Sequence, residues 1–317
     1  MRIAIVTTSW PERADDPAGH FVRASTRPLE ARHGGQVVFV VHPAPGGAFG
    51  WPGIASRLVE QPLRAPARAL EALGWVARAR HRVRRLDADL VVAHWAVPCA
   101  WPIGVAARGR LEVVSHGGDV RLLAALPRPL RDRLARTIAR RADRWTFVSA
   151  TLRDALLGSL GDAARQAVER VARVEPASIE MPDTGEAAAE LRRQLGAART
   201  AVSVGRLVAS KRVDRAIEHV ARSREFDALV VVGDGPERAR LEHLARARRV
   251  DARFVGAVGR PLALAWIGAA DALLHASEVE GLSTVVREAE ALGTRVVLLQ
   301  DTPAPVEVDG ARSSDGA

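Results

Sequence analysis

What most constrains this chain is a rhythm. Short aliphatic runs recur along it, each followed by a longer segment rich in Ala, Arg and Leu whose apolar residues fall at helical spacing. In the first part the runs are Arg2–Trp10, Gln36–Val41, Asp89–Trp95, Leu111–Ser115 and Trp145–Ser149. They resume as Ala201–Leu207, Leu229–Val232, Arg253–Val255, Ala272–Ala276 and Arg295–Leu299. Most of these runs are apolar without alternation, as strands covered on both faces are, and strand–helix alternation builds parallel sheets flanked by helices. The fold class is therefore α/β. Between about Val174 and Arg199 the rhythm lapses into Pro176, Pro182, Gly185 and a short Ala/Glu/Arg helix. We expect a first domain over 1–175, a linker over 176–198 and a second domain over 199–317. Both domains are Rossmann-like, and open sheets of this kind take ligands beyond the carboxyl ends of their strands. Two such halves would face each other across a central cleft.

The charge balance narrows the partners. A net charge of +9 raises the question of nucleic acid, but the arginines are dispersed through helical segments, Tyr is absent, and the seven Trp do not interleave with a basic cluster. Nucleic acid is not the expected partner. The helix Trp75–Arg85 is the place where an anionic membrane surface could be met. No apolar run is long enough to span a bilayer, and the N-terminus lacks a signal-peptide core, so a cytoplasmic chain, with the inner membrane face as its alternative site, is expected. The single cysteine, Cys99, reads as a small core residue and excludes a cysteine-built metal cluster.

Four motifs fall where the sheet rule puts ligands. The first is Ser115-His-Gly-Gly-Asp119, in which His116 offers a hydrogen-bonding or acid–base group and Asp119 either caps the next segment or accepts a hydroxyl. His94-Trp95 ends another strand and serves either the site or the domain wall. The second is Gly205-Arg-Leu207 followed by Lys211, a planar fork and a point charge suited to a diphosphate. Lys211 is the only lysine in a chain that otherwise uses arginine. The third, Gly233-Asp-Gly235-Pro236, is a tight turn that is as readily structural as functional. The fourth is Ala276–Gly293, which reads as an acidic loop entering a helix capped by Ser283 or Thr284, with Glu280 and Glu288 flanking an anion site at the helix start. Phosphate beside carboxylates implies a ligand that also carries hydroxyls, as a nucleotide sugar does.

Taken in order, HGGD, GRLVASKR, GDGP and EVEGLSTVVREAEALG resemble the retaining glycosyltransferases of the GT-B fold in glycosyltransferase family 4, the group 1 transferases. The resemblance runs from Met1 to about Leu299. It implies that Arg206 and Lys211 hold the donor's diphosphate, that Glu280 touches the transferred sugar, and that Gly281, Leu282 and Ser283 meet the phosphates. It further implies that Glu288 holds the ribose, that His116 lies near the sugar and leaving group, and that the loop at Gly19 approaches the donor. Gly205, Asp119, Gly233 and Gly235 complete the expected donor site. The activity implied is transfer of a sugar from a nucleoside-diphosphate sugar to a hydroxyl of a glycan, a lipid-linked or a small-molecule acceptor, with retention of configuration. No metal or other cofactor is expected, since the one Asp-x-Asp, Asp87-Ala-Asp89, enters a strand rather than leaving one. The competing readings are a non-catalytic or partner-dependent protein of the same fold and a GT-B-like nucleotide-sugar epimerase. A pyridoxal-dependent phosphorylase would need a lysine beyond the committed Lys211. Beyond Leu299 the residues favour turns, so the second domain is expected to be incomplete at its C-terminal end.

Overall fold

The computed structural model describes residues 1–11, 13, 15–16, 19–43, 66–277 and 283–299. These form two compact units, Met1–Glu180 and the chain from Met181 onward, with Ser283 and Thr284 grouped with the first. The first contains β1 (Arg2–Val6), α1 (His20–Ala24), α2 (Thr26–His33), β2 (Gln36–Val41), α3 (Pro66–Arg85) and β3 (Leu90–His94). It continues with β4 (Arg110–Ser115), α4 (Gly118–Ala125), α5 (Arg128–Arg141), β5 (Arg144–Phe147), α6 (Ala150–Ser159), α7 (Asp162–Val171) and β6 (Ala172–Val174). The second contains α8 (Gly185–Leu195), β7 (Thr200–Val204), α9 (Val213–Ser223), β8 (Ala228–Val232), α10 (Arg238–Ala247) and β9 (Asp251–Gly256). It ends with α11 (Arg260–Ala269), β10 (Ala272–His275), α12 (Thr284–Ala291) and β11 (Arg295–Leu298).

Each unit is a parallel sheet, in the order β2-β1-β3-β4-β5-β6 and β11-β10-β7-β8-β9. The period of two in a strand explains how one run feeds two cores. In the first unit Ala4, Val6, Val91, Ala93 and Val113 pack with α3, α5 and α6, while Ile3, Ile5, Leu90 and Val92 pack with Val22 and Leu29 on the opposite face. In the second, Ala201, Leu229, Val231 and Leu274 meet α9 and α10, whereas Val202, Val230 and Leu273 meet Leu191, Leu264, Trp266 and Ala289. Burial on both faces is why the runs look continuous in sequence.

Three details depart from the sequence reading. Gly19–His33 is two short helices joined at Ser25 rather than one. A sixth strand, β6, extends the first sheet; it is three residues long and mostly exposed, too short to carry a pattern. The stretch expected as linker contains α8, whose Leu191 is part of the second unit's core. Cys99 is fully buried, as expected of a core residue. Gln300–Ala317, where the sequence suggests an incomplete domain, lie outside the described residues.

The sheet order fixes where a ligand can go. The order in which strands are added reverses between β1 and β3 in the first sheet and between β7 and β10 in the second. Crevices open at such points, beyond the carboxyl ends of the strands.

Candidate functional site

In the first unit the carboxyl ends of β3 and β4 carry His94 and His116. Adjacent parallel strands place them together: His94 is level with Val114 in the ladder, and His116 follows two residues later. His94 Nδ1 lies 2.9 Å from His116 Nε2, and the two ring planes differ by 11°. Phe21 of α1 packs on His116 at 4.7 Å between ring centroids, and Trp95 at 5.2 Å. Trp95 holds φ at 76°, a left-handed backbone that a bulky residue adopts only under constraint, and such constraint collects at functional sites. Gly19, at φ 74°, starts α1 so close to the Ser9 carbonyl that a side chain there would collide with it.

Asp119 holds this corner together. Its Oδ2 accepts the Ala96 N–H at 2.7 Å, and its Oδ1 accepts the N–H groups of His116 at 3.2 Å and Gly117 at 3.1 Å. The side chain is buried. Its partners are backbone groups upstream of the helix and on the neighbouring turn, and among the described residues no side chain caps the helix start; one carboxylate ties the turn after β3 to the turn after β4 and so sets the spacing of the histidines. Burial drives the pKa of His94 well below its ordinary value, helped by His116, and burial lowers His116 to about 3. Both rings are neutral at pH 7. A cavity of about 80 Å³ beside them, lined by Phe21, His94, Glu112, His116 and Thr146 among others, is well under the ~300 Å³ at which ligand pockets begin, so it has room for water only.

By their apolar and Trp content the loops Pro43–Gly53 and Val97–Gly104 would suit a lipid-linked or aromatic acceptor, but Val97–Gly104 spends much of that content on the core instead. Cys99, Ala100 and Ile103 are fully buried, and Val97 and Trp101 pack against the same cluster. Pro43–Gly53, the other such loop, lies outside the described residues beyond Pro43.

In the second unit, Gly205 and Arg206 follow β7 and Lys211 closes the next turn, at the reversal point of the sheet. Arg206 is partly buried, and that burial pulls its pKa below the ordinary arginine value. A desolvated cation of this kind is stabilised by an anion. His275, at the end of β10, is lowered to about 4, first by burial and then by the positive charge of Lys211. This end of the sheet carries two cations, and its histidine is held neutral by burial first and by the charge of Lys211 second.

The Gly-Asp-Gly-Pro turn locks onto the cation-bearing turn. Gly205 N–H donates to the Val232 carbonyl at 3.0 Å, Leu207 N–H to Asp234 at 2.9 Å, and Glu237 N–H to Leu207 at 3.0 Å. A Cβ on Gly233 would overlap the Gly205 carbonyl oxygen, and one on Gly235 would overlap that of Leu207. Both glycines are required by close backbone approach. This supports the structural reading of the motif and gives it a purpose, since it shapes the loop that carries Arg206.

Glu288 is buried in α12, where its Oε1 accepts from Arg260 Nε at 3.0 Å and Nη2 at 2.8 Å. The carboxylate that the resemblance assigns to a ribose is therefore engaged by a guanidinium. Ser283 stands directly before the helix, but its buried Oγ has no hydrogen-bond partner among the described residues and so caps nothing there. Glu280, Gly281 and Leu282 lie outside the described residues. The two acids of Asp87-Ala-Asp89 serve the N-terminal strand: Asp89 Oδ2 accepts the Arg2 N–H at 2.7 Å, and Asp87 pairs with the Arg2 side chain.

Three contributors escaped the sequence reading: Phe21, His275, and the pairing of His94 with His116. Two strand-terminal histidines in successive runs were the available signal for the pair. The partnership itself spans 22 positions and becomes visible only once β3 and β4 are known to be neighbours.

Known proteins bear on these arrangements. Residues 19–170 match the model described as Glycosyltransferase Family 4, and residues 189–312 match that described as Glycosyl transferases group 1. No curated protein matches the chain in sequence. Among solved structures, HepE of Anabaena in complex with UDP-glucose superposes with a TM-score of 0.63 at 19% identity, covering 94% of this chain and 80% of that one. Sucrose-phosphate synthase of Thermosynechococcus elongatus gives 0.65 at 19% identity, with the same 94% and 80% coverage. An alpha,alpha-trehalose-phosphate synthase (UDP-forming) of Burkholderia vietnamiensis gives 0.63 at 15%, covering 94% and 83%. At these identities the structures establish the GT-B fold. With a family model matched in each half, the chain belongs to the group 1, family 4 glycosyltransferases.

Proposed function

We propose that this glycosyltransferase takes a nucleoside-diphosphate sugar, a UDP-sugar first among the candidates, and transfers its hexose to an acceptor hydroxyl with retention of configuration and without a metal. The observation that carries the reading is the placement of a desolvated Arg206 and of Lys211 in the turns that follow β7, at the reversal point of the second sheet. Breaking the bond between the anomeric carbon and the phosphate builds negative charge on the departing diphosphate. Fixed cations already in place stabilise that charge without reorganisation. Two such cations do what a divalent ion would otherwise do, and the side chains of Asp87 and Asp89 are engaged with Arg2.

The leaving phosphate helps to take the acceptor's proton, so that the incoming hydroxyl and the departing group share one face of the sugar. On the family resemblance, Glu280 touches the transferred sugar, and Gly281, Leu282 and Ser283 contribute contacts to the phosphates. The choice of UDP follows the solved HepE complexes with UDP and UDP-glucose. The acceptor is a glycan, a lipid-linked or a small hydroxyl compound. For a lipid-linked acceptor, α3 supplies a membrane-facing surface. Its exposed side carries Leu70 and Leu73 together with Arg78, Arg80, Arg82, Arg84 and Arg85. Sedimentation with anionic but not with neutral vesicles would support that contact; equal sedimentation with both would remove it.

The test is incubation with UDP-, GDP- and ADP-sugars, with and without acceptors, followed by detection of free nucleoside diphosphate. Release that depends on an acceptor and is lost in Lys211→Ala supports the proposal. A nucleotide sugar that raises the melting temperature yet is never turned over would instead mark a non-catalytic binding protein. Interconversion of sugar epimers without release would mark an epimerase.

A further inference from the structure

The paired histidines have a direction, and it decides what His116 can do. Nδ1 of His94 faces Nε2 of His116 at 2.9 Å, so a single proton must lie between them. Two arrangements satisfy this. If His116 donates through Nε2, His94 must carry its own proton on Nε2, and the outward Nδ1 of His116 is a bare lone pair, a base. If His94 donates through Nδ1, its Nε2 is bare, and His116 carries its proton outward on Nδ1.

The surroundings of His94 choose between them. His94 is 2% exposed, and its Nε2 is closed to water and has no hydrogen-bond partner among the described residues. In the first arrangement that atom would be a buried N–H with nothing to receive it, and orphaned buried N–H groups are rarer in folded proteins than under-satisfied acceptors. In the second it is an unpaired acceptor, the lesser penalty. The lock is held at both ends, because Asp119 fixes the backbone of Ala96 and His116, and Phe21 and Trp95 pack on the His116 ring. Burial keeps both rings neutral near pH 7, so no second proton blurs the choice.

We infer that His94 is a positioning residue that holds His116 as the Nδ1–H tautomer, making His116 a hydrogen-bond donor toward its ligand and closing to it the role of general base. The inference rests on the proposed transfer reaction only for its consequence. Within that reaction, His116 donates to a sugar hydroxyl or a phosphate oxygen, and the acceptor's proton must leave by another route, as it does when the departing phosphate receives it. The tautomer itself is a property of the free protein.

Nitrogen NMR of protein labelled with ¹⁵N in histidine tests it without any substrate. The expected spectrum has Nδ1 protonated and Nε2 bare in both rings. His94→Phe, which removes the donor, should let His116 move toward the Nε2–H form that free imidazole side chains favour in water. His94→Asn, whose amide can stand near the lost Nδ1–H, should restore the Nδ1–H form. A wild-type His116 protonated on Nε2 would overturn the inference, and so would an unchanged His116 in a folded His94→Phe. Should the Phe variant not fold, the wild-type spectrum decides alone. Failure of the transferase assay with the expected spectrum would refute the reaction and leave the tautomer standing.

Discussion

The carboxyl ends of the two sheets solve different problems. At the first, His94, His116, Phe21 and Trp95 make a surface that is aromatic, desolvated and neutral, and the nearby carboxylate of Asp119 is taken up by backbone N–H groups. At the second, Arg206 and the only lysine of the chain both follow the end of β7, and a histidine is held neutral first by burial and then by the charge of Lys211. The same parallel architecture thus presents hydrogen bonds of fixed direction in one unit and concentrated charge in the other. The lesson is that the sheet decides where chemistry can occur, and a handful of strand-end residues decides which kind.

The strongest test of that contrast removes a charge that is not part of the cationic site. Glu288→Ala strips Arg260 of a buried carboxylate partner, and breaking a buried pair from one side typically costs about 3–5 kcal/mol. Urea unfolding should show this as a lower midpoint, with most of the loss recovered in a Glu288→Leu, Arg260→Met double variant. If Glu288→Gln instead kept its stability and lost nucleotide affinity, the charge-binding region would reach into α12 and the contrast would need redrawing.

Next in size is the cationic pair itself. Arg206→Ala or Lys211→Ala should weaken binding of a nucleoside diphosphate by about 2–5 kcal/mol, roughly thirtyfold or more, in calorimetry. Lys211→Arg should also lose affinity, since a planar fork does not replace a compact ammonium. His116→Gln should leave nucleoside-diphosphate affinity nearly unchanged. Equal losses in all these variants would erase the distinction between the two sheet ends.

The smallest effect is on pH dependence. His116 is neutral in the fold with its pKa lowered from 6.5 to about 3, so below pH 6.5 the unfolded chain binds more protons and stability falls as the pH drops toward 3. By pH 5.5 that is about 1 kcal/mol for this residue. His275, lowered to about 4, adds a loss of the same sign in the second unit. Melting curves between pH 7 and pH 5 should therefore shift downward, with the shift reduced in His116→Gln; a curve flat across that range would show that these histidines already titrate in the fold.

How much could be read beforehand follows from distance along the chain. Strands covered on both faces announce themselves as continuous aliphatic runs, so ten of the eleven strands among the described residues were legible, and their carboxyl ends pointed to Arg206, Lys211 and His116. What stayed hidden depended on pairing. The bond between Arg260 and Glu288 spans 28 positions, and nothing local to either residue signals it. Asp119 offered two roles in sequence, cap or ligand, and the partners it holds, the N–H groups of His116, Gly117 and Ala96, include one brought from the neighbouring strand end that nothing local announces. β6 was missed because three mostly exposed residues carry no period.

The interlocking of the turns at Gly205–Leu207 and Gly233–Gly235 has a kinetic consequence. Hydrogen bonds run between them in both directions and their backbones touch where no side chain fits, so neither can open while the other stays closed. Their amides should exchange with solvent at one common rate, as a single cooperative unit, although nearly thirty residues separate them. A bound diphosphate that slowed exchange at Arg206 would slow it equally at the distant turn. A residue with no contact to the ligand would then report on its arrival.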